Sequence, residues 1–561
     1  MISDEIKEKI KKFYSEKKYE EVIKFSEQFT NQDERPAGLI NIIGLSYYQK
    51  KNPDEEDFNL ALKSFELAYL KEKNSIHGLN ALKNLIIVGI KSSILSKNFS
   101  KYLTKAREFF LESEKNFKDS EEFLKYGLLL FLHLLDTKKQ KEIISKILNS
   151  NINSKYLRGL STFMTNYHYD WSQKKIYECA KKNSNYYTKL GIKNLNEIDF
   201  KKNKKINIGF VSCDYEKNHS TTFFIKNTIK YLNKNKFKIF IFSLSKENLN
   251  DKSQNEIRNL SDEWFNCQDF DNQQIATKIQ DEQINILFDL IGYTNSERLE
   301  IFNSRVAPIQ ISWLAYCNTT GLKNVDYMIA DKNLIHENEH HLYSEKIIKL
   351  PDIWNCHSGF NYQRIFNETP ALNKPIFTFG SLNNFRKISD ETVKVWSKIL
   401  NNTPNSNLIL KSSDFCSNDI LLSKFNLFGV ADKVKIFNKM DFLEKKDHLN
   451  FYNKIDLCLD TFPYNGVTTT FEALWMNVPV IVLKGQNFTS RCGESIILNS
   501  QLNHLIADNF DNYIDKAVFL NKNLNVLNEL RKDLYNNVLS TPLFNSEKFA
   551  KNFSNALTEI L

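Results

Sequence analysis

From Ile206 to the C-terminus, short runs of β-branched and aromatic residues alternate with amphipathic stretches at helical spacing, and this alternation leaves the chain very few architectures. Runs at Ile206–Ser212, Lys238–Ser245, Ile284–Leu290, Ile309–Ala315 and Val325–Asp331 have the length and composition of buried strands. A segment rich in Asn and Pro, about Phe366–Pro375, interrupts them. The alternation then resumes with Ile376–Leu382, Asn407–Ser412, Val434–Phe437, Ile455–Thr461 and Val478–Leu483. Parallel strands need long crossovers, and the crossing helix covers the sheet face. The pattern therefore predicts an α/β chain of two doubly wound, Rossmann-like lobes. Two such lobes face one cleft with the carboxyl ends of their strands, where ligands bind. The last segment, Leu524–Leu561, reads as helical and is expected to pack back across the lobes.

Residues 1–195 carry almost no strand signal. Apolar residues recur there at helical spacing, as in Leu124, Tyr126, Leu128, Leu129 and Leu132. The segment Gly44-Leu45-Ser46-Tyr47, followed by Ala61, Phe65 and Ala68, matches the tetratricopeptide pattern. Small residues let two helices cross closely and the aromatic fills the remaining gap. An earlier copy begins at Lys18-Tyr19-Glu20-Glu21-Val22, with a spacing longer than the usual repeat because of the turn at Asn52–Glu56. Stacked helical pairs form a groove suited to another chain. The expected organisation is TPR-like repeats over 1–150, a helical connector over 151–204, a first lobe over 205–370, and a second lobe with C-terminal helices over 371–561.

The 561 residues carry 76 Lys+Arg against 67 Asp+Glu, a formal +9 that is mild over this length. The one dense basic cluster, Lys201–Lys205, reads as a solvated linker, so no nucleic-acid partner is expected. The eight cysteines include no CxxC, which disfavours a disulfide framework or zinc knuckle, and Cys458 sits inside an apolar strand. No apolar leader and no run of eighteen apolar residues occurs, so neither secretion nor a membrane span is expected, and the cytoplasm follows by default. His340-His341 beside Glu337 and Glu339 reads as a solvated loop, and no metal site is expected.

Three stretches carry chemistry. The sharpest is Asp456–Trp475: a strand, a turn built on Pro463 and Asn465-Gly466, then a helix opening on Thr468, Thr469 and Thr470. Amides at a helix start, aided by the dipole and hydroxyls, suit a diphosphate. Glu472, one turn further in, can accept ribose hydroxyls. The second is Gly380–Ile388, where Lys387 follows the first strand of the second lobe and can neutralise charge on a leaving diphosphate. The third is Asp214–Thr222, which links the first strand of the first lobe to its helix. His219 there can contact or deprotonate an acceptor hydroxyl, or simply cap the helix.

Taken together, these stretches resemble the O-linked N-acetylglucosamine transferase / SPINDLY family, from about Asn166 to the C-terminus. The resemblance runs through Gly292-Tyr293-Thr294, Arg305–Gln310, Trp313–Gly321, Asp326-Tyr327, Leu382–Lys387 and Asp456–Trp475. The tail motifs Ser490–Ser495 and Thr541–Phe544 are similar to the bacterial SPINDLY branch. The resemblance implies a GT-B fold behind helical repeats. It also implies inverting, metal-independent transfer from a nucleotide sugar, UDP-GlcNAc first, to Ser or Thr of a protein acceptor held partly by the repeats. By position, Lys387 matches the phosphate-contacting lysine, Thr468 and Thr469 the diphosphate-binding threonines, and Glu472 the acidic ribose-binding position. Lys445 and His448 match nucleotide-contacting residues, and His219 the active-site histidine; Asn384 and Gly466 complete the expected donor site. Departures lie near the sugar: Val467 where animal enzymes have His, Asn384 for Gln, Glu472 for Asp, and Ala315 and Cys317 for Gly and Pro. They leave the donor open, and with it an N-glucosyl- or O-fucosyltransferase on the same fold. A non-catalytic repeat scaffold would have no need of this polar set.

Overall fold

The computed structural model describes residues 4–27, 35–198, 204–216, 219–412, 415–438 and 445–561, without the side chains of 415, 416, 445 and 446. The side chains of Lys201, Lys202, Lys217, Asn218, Cys416 and Lys445 therefore lie outside the described residues. The chain forms two compact units, one of residues 1–152 with 412–424, the other of 153–411 with 425–561.

The first unit is helical. Its successive helices include Ala37–Gln49, Glu55–Lys71, Ile76–Ser92, Ser100–Phe117, Glu121–His133 and Thr137–Asn149. Gly44 lies where a Cβ would come within 2.7 Å of the Phe65 ring, so only glycine admits that close crossing. Ala61, Phe65 and Ala68 are fully buried beside it. Side-chain bonds between neighbouring copies recur 43 residues apart: Asn84 to Asn41, Lys91 to Tyr48, Tyr102 to Asn59. Others span 39 residues, as Lys83 to Glu122. Helix caps follow local chemistry, as at Asp54, whose carboxylate accepts the Asp57 N–H in a capping box. Residues 412–424 join this unit, with Ser417 Oγ donating to His133 O at 3.0 Å.

The second unit holds two sheets. The first contains β1 (Ile206–Ser212), β2 (Phe237–Ser243), β3 (Glu263–Asn266), β4 (Ile286–Asp289), β5 (Ile309–Ser312), β6 (Tyr327–Asp331) and β7 (Lys346–Leu350), in the order β3-β2-β1-β4-β5-β6-β7. The second contains β8 (Phe377–Ser381), β9 (Ser406–Ser412), β10 (Val434–Asn438), β11 (Leu457–Leu459), β12 (Val480–Leu483) and β13 (Ile506–Ala507), in the order β10-β9-β8-β11-β12-β13. Pairings from β3 through β7, and from β9 through β13, are parallel. Each sheet starts at a middle strand, runs outward, then returns to the other side. The switch points therefore lie between β1 and β4 and between β8 and β11, and ligands of such sheets bind at the carboxyl ends there.

Burial explains the strands. β1 is apolar on both faces, with Ile208, Phe210 and Val211 fully buried, as a central parallel strand requires. The C-terminal helix Ser546–Glu559 returns to the first lobe, as expected. Its Phe553 lies 4.8 Å from Trp313 and 5.5 Å from Phe288, ring centre to ring centre. The helix Phe488–Asn499 ties the lobes together. Arg491 pairs with Glu339, Ser495 donates to Asp331 at 2.6 Å, and Thr489 donates to Cys317 O at 2.7 Å.

Candidate active site

The loops that follow the switch-point strands supply the expected site residues: His219 follows β1, Lys387 follows β8, and Gly466 to Thr469 follow β11. Lys387, Thr468 and Thr469 line a cavity of about 290 Å³ between the two sheets, whereas His219 and Gly466 are not among its lining residues. Asn383, Asn384, Lys387, Tyr464, Val467, Thr468 and Thr469 form its second-lobe wall. Ser220, Thr221, Phe224, Leu314, Ala315, Trp354 and Asn355 are on the first-lobe side, with Cys317 beside them.

A buried carboxylate organises the second-lobe wall. Asp460 Oδ1, just past β11, accepts the N–H of Gly466 at 2.8 Å, the N–H of Thr461 at 2.9 Å and Asn383 Nδ2 at 3.1 Å. The carbonyl oxygen of Asn383 in turn accepts the Thr469 hydroxyl at 2.7 Å. These bonds curl residues 460–466 into the turn that aims the next helix at the cavity. A Cβ at Gly466 would sit 2.3 Å from Thr469 Oγ1, so the turn requires glycine. The helix Thr468–Trp475 starts behind Val467, which supplies no side-chain cap. The N–H groups of Thr468 and Thr469 and the positive end of the dipole are thus left for a ligand, while the Thr470 N–H bonds Val467 O at 3.0 Å. With the Thr469 hydroxyl bound to Asn383, Thr469 offers its N–H, and Thr468 offers N–H and hydroxyl.

Lys387 closes this wall. Its Nζ donates to Asn465 O at 2.8 Å and lies 4.3 Å from the centre of the Tyr464 ring, which leaves two N–H donors. Burial lowers its pKa from the ordinary lysine value, and the nearby Asp460 opposes that shift. Burial likewise pushes Asp460 up to about 7, against the backbone N–H of Gly466 and the charge of Lys387. A cation held in a poorly solvated site acts strongly on any anion placed beside it.

Behind the threonine helix runs a second polar chain. Lys411 Nζ, at the end of β9, donates to His448 Nδ1 at 3.0 Å. The lysine can only donate, so the His448 proton sits on Nε2, which faces Glu472 Oε2 at 2.8 Å. Tyr452 OH donates to the same oxygen at 3.1 Å. His448 and Glu472 are therefore brought together, one turn deeper than the cavity wall and buried. Lys445 opens the helix Lys445–Phe451, but its side chain lies outside the described residues.

His219 precedes the cavity-lining Ser220 and caps the helix Ser220–Tyr231: Nδ1 accepts the Thr221 N–H at 3.4 Å. Nε2 lies 3.5 Å from Asp214 Oδ1. In this arrangement a neutral ring carries its proton on Nε2 and donates rather than accepts there. Asn384 is exposed at the cavity edge and accepts the Arg386 N–H at 3.0 Å. Sequence reasoning missed Asp460, Asn383, Lys411 and Asn355. Among the described residues, no group of three or more His, Cys, Asp or Glu is arranged to hold a metal, and no helix is long and apolar enough to cross a membrane.

The profile described as Glycosyl transferase family 41 matches residues 167–363 and 367–553, which include every cavity-lining residue. The chain belongs to glycosyl transferase family 41. Among curated proteins it is 31% identical over 362 residues to the probable UDP-N-acetylglucosamine–peptide N-acetylglucosaminyltransferase SPINDLY of Arabidopsis thaliana, across 63% of this chain and 39% of that protein. It is 30% identical over 358 residues to the protein of the same name from Hordeum vulgare, across 62% and 37%. The chain thus spans about two fifths of the length of these curated relatives. Among solved structures, a Thermobaculum terrenum O-GlcNAc transferase mutant superposes with a TM-score of 0.75 at 21% identity, covering 95% of this chain and 98% of that one. That likeness establishes the shared GT-B architecture of this family 41 chain.

Proposed function

We propose that this family 41 protein is an inverting, metal-independent glycosyltransferase that moves N-acetylglucosamine from UDP-GlcNAc to a Ser or Thr hydroxyl of a protein acceptor. The observation that carries this reading is the meeting of Lys387 with the uncapped start of the Thr468–Trp475 helix in one cavity. Positive charge and N–H donors converge there as a departing diphosphate requires, and the lysine supplies the charge that a metal supplies elsewhere. The names of the curated relatives agree with donor and acceptor.

The acceptor oxygen attacks the anomeric carbon on the face opposite the diphosphate. As that C–O bond forms, the bond from the anomeric carbon to the diphosphate oxygen breaks, and the configuration inverts. Lys387, the Thr468 and Thr469 amides and the Thr468 hydroxyl hold the leaving charge. His219 donates from Nε2 to orient the acceptor, and the hydroxyl proton passes to a phosphate oxygen of the donor. The family resemblance assigns Glu472, His448, Lys445 and Asn384 to the nucleotide; here Glu472 is held by His448 and Tyr452 behind the cavity wall, and Asn384 lies at the cavity edge. Alignment of the two reactants contributes to the acceleration, up to about 7–11 kcal/mol in favourable cases. The repeats of the first unit bind the acceptor protein.

The test is transfer of radiolabelled sugar to a protein extract in EDTA, with mass spectrometry of the product. Label on Ser or Thr, unaffected by the chelator, is expected. Label on Asn, or none with any of UDP-GlcNAc, UDP-glucose and GDP-fucose, would overturn the reading.

A further inference from the structure

The first-lobe wall of the cavity contains a buried amide with nothing to bind. Asn355 follows β7, is 2% exposed and lines the cavity. Its side chain makes no hydrogen bond to any described residue, and Oδ1 is fully buried without a partner. Its two chain neighbours, Trp354 and Cys356, are committed. Trp354 accepts the Trp313 indole N–H on its carbonyl at 2.9 Å and sends its own N–H to Asp331 at 3.1 Å. Cys356 Sγ turns to Leu543 O at 3.3 Å. His357 accepts the Gly359 N–H at 3.0 Å, with its ring packed among Phe223, Phe360 and Phe471. Buried polar groups in folded proteins are satisfied by protein, water or ligand, and leaving one bare is costly. For Asn355 the protein offers no partner; Oδ1 is enclosed, and the amide nitrogen, which also has no partner, is the end that a ligand in the cavity can reach.

The chemistry of that partner follows from the amide and its surroundings. The amide nitrogen carries two N–H donors, a match for the oxygens of adjacent hydroxyls. Trp354 and Phe224 line the same cavity and, themselves buried, back it with apolar bulk. Facing them, Lys387 and Thr468 form the diphosphate cradle. A sugar esterified to that diphosphate begins one bond beyond the phosphate and is carried into the space between the walls.

We propose that Asn355 is a specificity-determining residue that hydrogen-bonds ring hydroxyls of the donor sugar. The assignment rests on the transferase reading above. It makes Asn355 a reader of the sugar and leaves the nucleotide to the second lobe.

The experiment compares wild type with Asn355→Leu, which keeps the volume and removes both hydrogen-bonding ends, and with Asn355→Ala. Calorimetry first ranks UDP-GlcNAc, UDP-glucose and GDP-fucose on wild type; the tightest binder and its parent nucleoside diphosphate are then titrated into all three proteins. Affinity for the bare diphosphate should stay within about twofold, which also reports that the variants are folded. Affinity for the nucleotide sugar should fall about ten- to a hundredfold. A donor deoxygenated at the contacted hydroxyl should lose a similar factor on wild type and little on Asn355→Leu. Equal losses for diphosphate and nucleotide sugar in both variants would overturn the assignment in favour of a packing role. Unchanged donor affinity with a raised acceptor KM would overturn it in favour of an acceptor contact. Wild type that binds no nucleotide or nucleotide sugar brings down the transferase reading and this assignment together, a result distinct from the other two.

Discussion

The two walls of the cavity are built on opposite plans. On the second-lobe wall, polar groups are tied to one another before any ligand arrives: Asp460 to Gly466 and Asn383, Asn383 to Thr469, Lys387 to Asn465. On the first-lobe wall, the buried Phe224 and Trp354 supply apolar backing, Leu314 and Ala315 take positive φ values of 59° and 25°, and the Asn355 amide is uncommitted. One wall is preorganised for a charge of known shape; the other waits for ligand groups to complete it. Preorganised donors act in the transition state without a reorganisation cost, so the rate should be concentrated on the second-lobe side and sugar choice on the first.

Substitutions can break that contrast. Lys387→Ala should lower kcat by about 10²–10³, with a smaller change in donor KM, measured as initial transfer rates. Near-normal turnover would move the leaving-group work elsewhere. Asn383→Ala leaves Thr469 and Asp460 each short of a partner, and an unsatisfied buried group costs about 1–3 kcal/mol. Diphosphate affinity should therefore fall about tenfold, although Asn383 is proposed to hold the cradle and not to touch the donor. An unchanged affinity would mean that the cradle does not depend on these internal bonds.

The smallest effect is thermodynamic and depends on pH. Burial raises Asp460 from 3.8 to about 7, so the folded protein keeps that proton where the unfolded chain has released it. The resulting stability is fully present below pH 4 and is lost as pH rises through 7. Asp460→Asn keeps the acceptor oxygen for Gly466 and removes the charge. Its Tm relative to wild type should therefore be higher at pH 8 than at pH 5, by a few degrees at about 2–4 °C per kcal/mol. A difference that does not change with pH would show that the Asp460 carboxyl does not titrate in this window.

Much of the fold was legible because long, strongly patterned elements announce themselves. The central strands β1 and β8 are apolar runs bounded by turn residues, and both fall where the pattern predicts. The strands that escaped are marginal. β3 is an edge strand of four partly exposed residues, β7 alternates as Lys-Ile-Ile-Lys-Leu, and β13 has two residues.

The site divides in the same way. Lys387, Gly466 and Thr468 were legible because a strand-to-helix connection carries its own local logic. Asp460 and Asn383 are 77 residues apart, and Lys411 and His448 are 37 apart, so their roles exist only once the sheets form. Asn355 gives no local signal at all, since its meaning lies in the partners it lacks. His219 shows the limit of motif reasoning: its cap to Thr221 fixes the ring so that Nε2 donates.

Lys387 and the start of the threonine helix are proposed to take the diphosphate jointly, and a structure with a nucleoside diphosphate bound in EDTA shows whether they do. The β-phosphate oxygens should lie within about 2.7–3.0 Å of Lys387 Nζ and of the Thr468 or Thr469 donors. A diphosphate bound away from both, with the lysine turned only toward Asn465, would contradict that joint role.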